Sequence, residues 1–413
     1  MSSNISKENI STMKIINALF LVAGTCIGGG MLALPIASGI TGFWPSVATL
    51  LAACIFMTIT GLLFLEATLW MGNGTHIISM SSKLLNQFGK SVCWLVYLFI
   101  GYFSLTAYVS GGGKEIAFVT TEILKVPLSN YVGSLIFILI FGIIIYQGHR
   151  VIERVNTILF ISMIVAYFFM ISLAHSEINL HLLERQDLSI TNFLFLSPLM
   201  LTTFSFPGIV PTIVPYLKKD IRALKIAIIG GTTTTFLVYF VWLLIIFGSV
   251  PYDGSHGLKE AFLCDVPATE CLHYAIQNPI LSYVAQFFAF FALTTSFLGI
   301  ALALFDFLAD GFKISKTGFG KLVLTLMVAL PSLFFGIYFK RAFITALEMS
   351  GGIGDSIISG LIPAIMVWRG RYHFKLMKQE SYQVTGGKSL LIVIGIISCF
   401  VLLCETSRRL FDL

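Results

Sequence analysis

The chain is short of charge. Aspartate, glutamate, lysine and arginine make up 11% of its 413 residues, against about 25% in soluble domains, and this scarcity excludes a water-soluble globular fold. Histidines and cysteines number seven each. The histidines (His76, His149, His175, His181, His256, His273 and His373) fall in polar connections without metal-ligand spacing, so no metal is expected. Five cysteines lie in apolar runs and form no pattern, while Cys264 and Cys271 share one connection. The connections bring no nucleophile, base and orienting group together, so the chain does not read as an enzyme. Its net charge of +6 is dispersed over short connections and makes no basic stripe. That argues for orientation in a membrane and against nucleic-acid binding.

What is present is hydrocarbon. Apolar residues make up 57% of the chain, mean hydropathy is +0.91, and runs of about 20 apolar residues recur with no tract left for a separate soluble domain. The expectation is an all-α polytopic membrane protein with no cofactor. Eleven spans are read at 14–38, 43–71, 91–111, 131–147, 151–174, 192–217, 222–250, 280–307, 318–339, 341–368 and 389–404. A polar leader, 1–13, precedes a first run without a small-x-small cleavage site, which reads as a retained span. Segment 72–90 places Ile77, Ile78, Leu84, Leu85 and Phe88 at near-helical spacing, as a surface helix would. Segments 175–191 and 251–279 read as loops, the second exposed where Cys264 and Cys271 can be a disulfide or two free thiols. Placing the N-terminus inside puts 18 lysines and arginines in cytoplasmic segments and 8 outside, which predicts a cytoplasmic N-terminus and a periplasmic C-terminus.

The first span carries Gly24-Thr25-Cys26-Ile27-Gly28-Gly29-Gly30 at its centre. Each glycine weakens a helix by about 1 kcal/mol relative to alanine, so the helix is predicted to break there. No G-K-[ST] follows, which removes the phosphate-loop reading. Broken backbone in hydrocarbon needs polar partners. A half-helix N-terminus offers amides to an anion, and a half-helix C-terminus offers carbonyls to an ammonium; together they suit a zwitterionic amino acid. The sixth span repeats the device with Pro207, Gly208 and Pro211 at its centre. Breaks in the first and sixth spans, with four intact spans between, are the pattern of two inverted five-helix repeats, here 14–174 and 192–368, with an eleventh helix added. Paired breaks suit alternating access better than the continuous pore of a channel.

These residues carry a resemblance. Gly24 to Pro35, Ala107-Tyr108-Val109-Ser110-Gly111, the stretch 204–216, and Thr295-Ser296-Phe297-Leu298-Gly299 through Asp306 resemble the bacterial hydroxy/aromatic amino acid permeases, the tyrosine-specific permeases above all. The resemblance spans helices 1 to 10. It implies the LeuT-like fold of the amino acid–polyamine–organocation superfamily, proton-coupled uptake across the inner membrane, and an aromatic substrate, tyrosine foremost, held between helices 1, 3, 6 and 8. The chain departs from the pattern at Pro207, where the family carries another residue, often polar.

The site expected on these grounds takes in Thr25 and has the amides of Cys26, Ile27, Gly28, Gly29 and Gly30 around the carboxylate and carbonyls of Phe204 and Ser205 on the ammonium. Phe206, Pro207, Gly208 and Ile209 border the ring, and Tyr102 and Tyr108 are polar candidates from the third span. Ion-coupling candidates are Glu66, Glu348 and Asp355 for a proton, and Thr295 with Ser296 for sodium as the alternative ion. Glu348 and Asp355, seven residues apart, are expected on one helix face. An ionised carboxylate at the depth of Asp355 is costly, which favours a protonatable acid.

Overall fold

The computed structural model describes residues 11–71, 76–122, 124–174, 176–276, 278–339, 341–376 and 382–410. Most of the polar leader, the start of the amphipathic segment and His175 lie outside them. The described residues are helical, without a strand beyond one isolated bridge between Gly42 and Gln186. Ten helices are long and apolar enough to cross a membrane, and a bent pair brings the spans to 11.

Span 1 is that pair, Thr12–Cys26 and Gly29–Ser38, bent by 52°. Ile27 and Gly28 between the halves are extended, as the glycine content requires. Span 6 is interrupted too. Ile190–Thr202 ends, a single 3₁₀ turn runs over Pro207–Ile209, and Val210–Tyr216 resumes the helix. Spans 2, 4, 5 and 7 are Phe43–Leu69, Asn130–Gln147, His149–Ala174 and Ile221–Ser249. Spans 8, 9 and 11 are Pro279–Phe312, Gly318–Tyr338 and Gly387–Leu410. Polar caps start three of them: Ser129, Asp220 and Asn278 accept amides of Val132, Ala223, and both Ile280 and Leu281.

Three expectations need correction. Span 3 does not stop at Gly111; it is one helix, Asn86–Glu122, of 37 residues. Gly111, Gly112 and Gly113 serve close packing, because an added Cβ would meet Phe343, Phe137 and Ser134 respectively. Segment 251–279 is no plain loop. It holds the helices Leu258–Cys264 and Ala268–Ala275, which form a lid on the second half of span 1. Span 10, Ala342–His373, is not a regular α-helix, since Ser350–Leu361 is π-helical. The wider π turn changes the phase of everything after it, so Glu348 and Asp355 do not share a face. Glu348 meets Arg408 and Arg409 of span 11 at 2.9 and 2.8 Å, whereas Asp355 meets span 6.

In the surface segment, Ile77–Leu84 is a short helix. It buries Ile77, Met80, Ser81 and Leu84 against the bundle, while Phe88 stands exposed at the start of span 3.

Candidate substrate site

The two breaks come together against spans 2, 3, 7, 8 and 10. In the first, the Ala23 carbonyl takes the Ile27 amide and the Gly28 carbonyl takes the Met31 amide, so the second half-helix opens at Gly28 with its first amides unclaimed by helix geometry. Two hydroxyls stand beside them. A Cβ on Gly28 would overlap Ser296 Oγ and lie 3.7 Å from Tyr108 Oη; one on Gly29 would overlap the Tyr108 ring. The Tyr108 hydroxyl itself interacts with Ser296. Hydroxyls from spans 3 and 8 therefore converge on the backbone of the span 1 break, at the start of a half-helix where an anion is favoured.

Span 7 supplies two residues that sequence reasoning missed. Tyr239 Oη donates to the Cys26 carbonyl at 2.8 Å, and Trp242 Nε1 donates to the Met31 carbonyl at 2.8 Å. Both side chains are fully buried. Three residues apart on one helix, they pin the two sides of the break, and Tyr239 also sets its ring edge-on to Phe204 of the second break, centroids 5.9 Å apart. An apolar run with a tyrosine and a tryptophan gives no sign of this.

In the second break the Phe204 carbonyl already accepts the Phe206 amide at 2.8 Å, and the Phe206 carbonyl accepts that of Ile209 at 2.9 Å. The rings of Phe204 and Phe206 are fully buried. Phe206 packs on span 2 where Gly61 leaves room. Pro207 is buried, Gly208 is exposed with nothing close to it, and Ile209 is half-buried; of the four ring-bordering candidates, Gly208 and Ile209 alone face open space. Ser205 Oγ donates to Asp355 Oδ1 at 2.7 Å.

Other candidates stand apart. Tyr102 donates to the Met327 carbonyl of span 9 at 2.9 Å. Thr25 Oγ1 donates within its own helix to the Leu21 carbonyl at 2.7 Å, and Thr295 Oγ1 does the same to Phe291 and Ala292 at 2.9 and 3.1 Å. Glu66 is enclosed in a bidentate pair with Arg371 at 2.7 and 2.6 Å, with the Val384 amide donating to it at 2.8 Å. Cys264 and Cys271 are not joined. They sit on different lid helices, Cys264 exposed and donating to Glu260, Cys271 buried.

Access to the site is one-sided. In the half-helix Gly29–Ser38 every residue but Ala37 is buried, and the lid covers it. Arg185 seals its end by donating to the Gly39 carbonyl at 2.8 Å while stacking on Tyr252, 3.4 Å from the ring centroid. The half-helix Thr12–Cys26 exposes Asn17, Leu21 and Thr25 in a stripe. Span 8 continues it. Phe287 is exposed on its lipid side, and Ser296, nine residues on, lies on the opposite side of the helix, followed by exposed Gly299 and Ala303. Gly299, like Gly208, has open space around it.

A model of the tryptophan/tyrosine permease family matches residues 11–405. The chain belongs to this family. It is similar to the tryptophan-specific transport protein of Haemophilus influenzae, 31% identical over 93% of this chain and 94% of that protein. The tyrosine-specific transport system 1 of the same bacterium is 28% identical over 94% and 95%. The low affinity tryptophan permease of Escherichia coli is 24% identical over 94% of each. The permease is thus an aromatic amino acid transport protein and not an enzyme.

Proposed function

We propose that this permease imports aromatic amino acids, tyrosine foremost, across the bacterial inner membrane by proton symport, through a site between the breaks of spans 1 and 6. The observation that carries the reading is the convergence of the Gly28 and Gly29 backbone with Tyr108 and Ser296. A substrate carboxylate there is held by amides at a half-helix N-terminus and by two hydroxyls. Its ammonium faces carbonyls around Ser205, and its ring extends toward Gly208 and Ile209, the uncovered end of the second break. Tyrosine is the substrate the sequence motifs favour, and the name of the 31% identical relative favours tryptophan.

The paired breaks, and the length of spans 3 and 8, 37 and 34 residues, support two inverted repeats, 14–174 and 192–368, with span 11 outside them. With the N-terminus cytoplasmic, the exposed stripes of spans 1 and 8 line a cleft open to the cytoplasm, and the lid closes the periplasmic side. Saturable flux, not a continuous pore, follows from that geometry. Sodium stays the alternative ion, since Thr295 and Ser296 keep acceptor lone pairs. The test is uptake of labelled tyrosine into proteoliposomes with an imposed proton gradient, with and without sodium, competed by unlabelled tryptophan, phenylalanine and serine. Uptake that ignores the proton gradient, or competition by serine as strong as by tryptophan, overturns the reading.

A further inference from the structure

Asp355 sits on the π-helical stretch of span 10, 1% exposed, and no cation pairs with it among the described residues. Its Oδ1 accepts from Ser205 at 2.7 Å and from Ser359 at 2.9 Å. Its Oδ2 is buried without a partner. A negative charge on that carboxyl would have one solvated-like oxygen and one bare one, in a medium that penalises both deficits. A proton on Oδ2 would remove that charge.

Among the described residues, no other acid reaches the break in span 6. From span 1 comes the Cys26 thiol and from span 3 the Tyr108 phenol, both close enough to feel the Asp355 charge. Span 11 packs Glu405 on Gly352, but Glu405 is paired with Arg409 at 2.8 Å. Glu348 of span 10 and Glu66 of span 2 are held by arginines. The described outer half of span 6 has no ionisable side chain. On span 3, Lys114 pairs with Asp265 of the lid, and Glu115 is buried with Oε1 accepting from Thr269 of the lid and Oε2 without a partner, as on Asp355, but set against the lid.

Resting on the proton-symport reading, we propose that Asp355 Oδ2 carries the coupled proton and that Ser205 transmits its arrival to the break in span 6. The proton comes from the periplasmic phase, forms an O–H bond on Oδ2, and leaves to water of the cytoplasmic cleft when half-buried Ser205 is wetted; no other bond changes. Loading removes the charge that strengthens the Ser205 bond to Oδ1, so the Ser205 hydroxyl is held more weakly and turns more readily to the substrate or to backbone in the break. Proton and substrate then alter the same few residues, which is the physical requirement for coupling.

The experiment uses the full chain in proteoliposomes holding a pH-sensitive dye, with labelled tryptophan and tyrosine as probes. In Asp355→Asn, gradient-driven accumulation and substrate-driven acidification of the lumen are expected to fall at least tenfold while substrate exchange across the membrane persists. An unchanged proton signal per substrate in that variant overturns the proposal. If the variant exchanges nothing, Ser205→Ala decides: losing one hydrogen bond to the acid displaces the pH profile of uptake by about one unit, and a superimposable profile overturns the role. A wild-type chain that moves substrate with no proton signal overturns the symport reading itself, a result separate from either variant's.

Discussion

Space next to Gly28 is measured in single atoms. An alanine there meets Ser296 Oγ, and one at Gly29 meets the ring of Tyr108, so the smallest side chain already overpacks the site at about 1–3 kcal/mol. Gly28→Ala is expected to raise the KM of uptake on the order of tenfold with insertion intact, and adding Ser296→Ala should recover part of the loss by removing the clashing oxygen. Equal uptake constants for wild type and Gly28→Ala would sink the placement of the carboxylate. These residues were legible because glycine and proline act locally, and the runs at 24–30 and 207–211 hold the two breaks. Tyr239 and Trp242 were not, because their partners, the Cys26 and Met31 carbonyls, lie 213 and 211 residues away. Gly111 to Gly113 show the reverse failure, in which a locally weak stretch stays helical because Phe137, Ser134 and Phe343 fill the space beside it.

Span 10 ties the molecule together as an element. At its outer end the Asp265 carboxylate, from the lid, accepts the Phe343 and Ile344 amides at 3.2 and 3.0 Å and pairs with Lys114. Near its middle is Asp355, and at its inner end Arg371 clasps Glu66 of span 2 with both side chains fully buried. Removing one partner of such a pair leaves a bare charge and costs about 3–5 kcal/mol, whereas replacing both by apolar groups is often neutral. Glu66→Gln is therefore expected to lower the detergent-solubilised melting temperature by several degrees, with Glu66→Leu/Arg371→Met closer to wild type. A Glu66→Gln protein that melts like wild type would show that the pair contributes nothing. The sequence offers Glu66 as an ion-coupling candidate and does not show its partner, since 305 residues separate the pair. No local pattern announces the π stretch: Gly351 packs on Pro198 and Thr202, Gly352 on Glu405 and Pro198, and Gly354 on Ile100.

At the scale of the whole molecule, eleven spans and two breaks were readable from apolar run length and from glycine and proline, while the side on which the site opens was not, because it depends on how the halves lean. Native and introduced thiols test it. Cys264 is expected to react with a membrane-impermeant maleimide from the periplasm without prior reduction. Cys271, buried in the lid and with its thiol pushed by desolvation up to about 12, should react slowly, and faster when the lid lifts. In a Cys264→Ser background, Thr25→Cys should label from the cytoplasmic side and Leu34→Cys from neither; labelling of Leu34→Cys from the periplasm would reverse the assignment of the open face. The uneven burial of the two halves of span 1 also bears on the economy of the cell. A carrier at rest with its cleft toward the cytosol must turn back empty before each import cycle, and any aromatic amino acid already inside can occupy it and be carried outward instead. On the proposed cytoplasmic opening, net uptake is expected to slow as the internal pool fills, a feedback brake that needs no regulator.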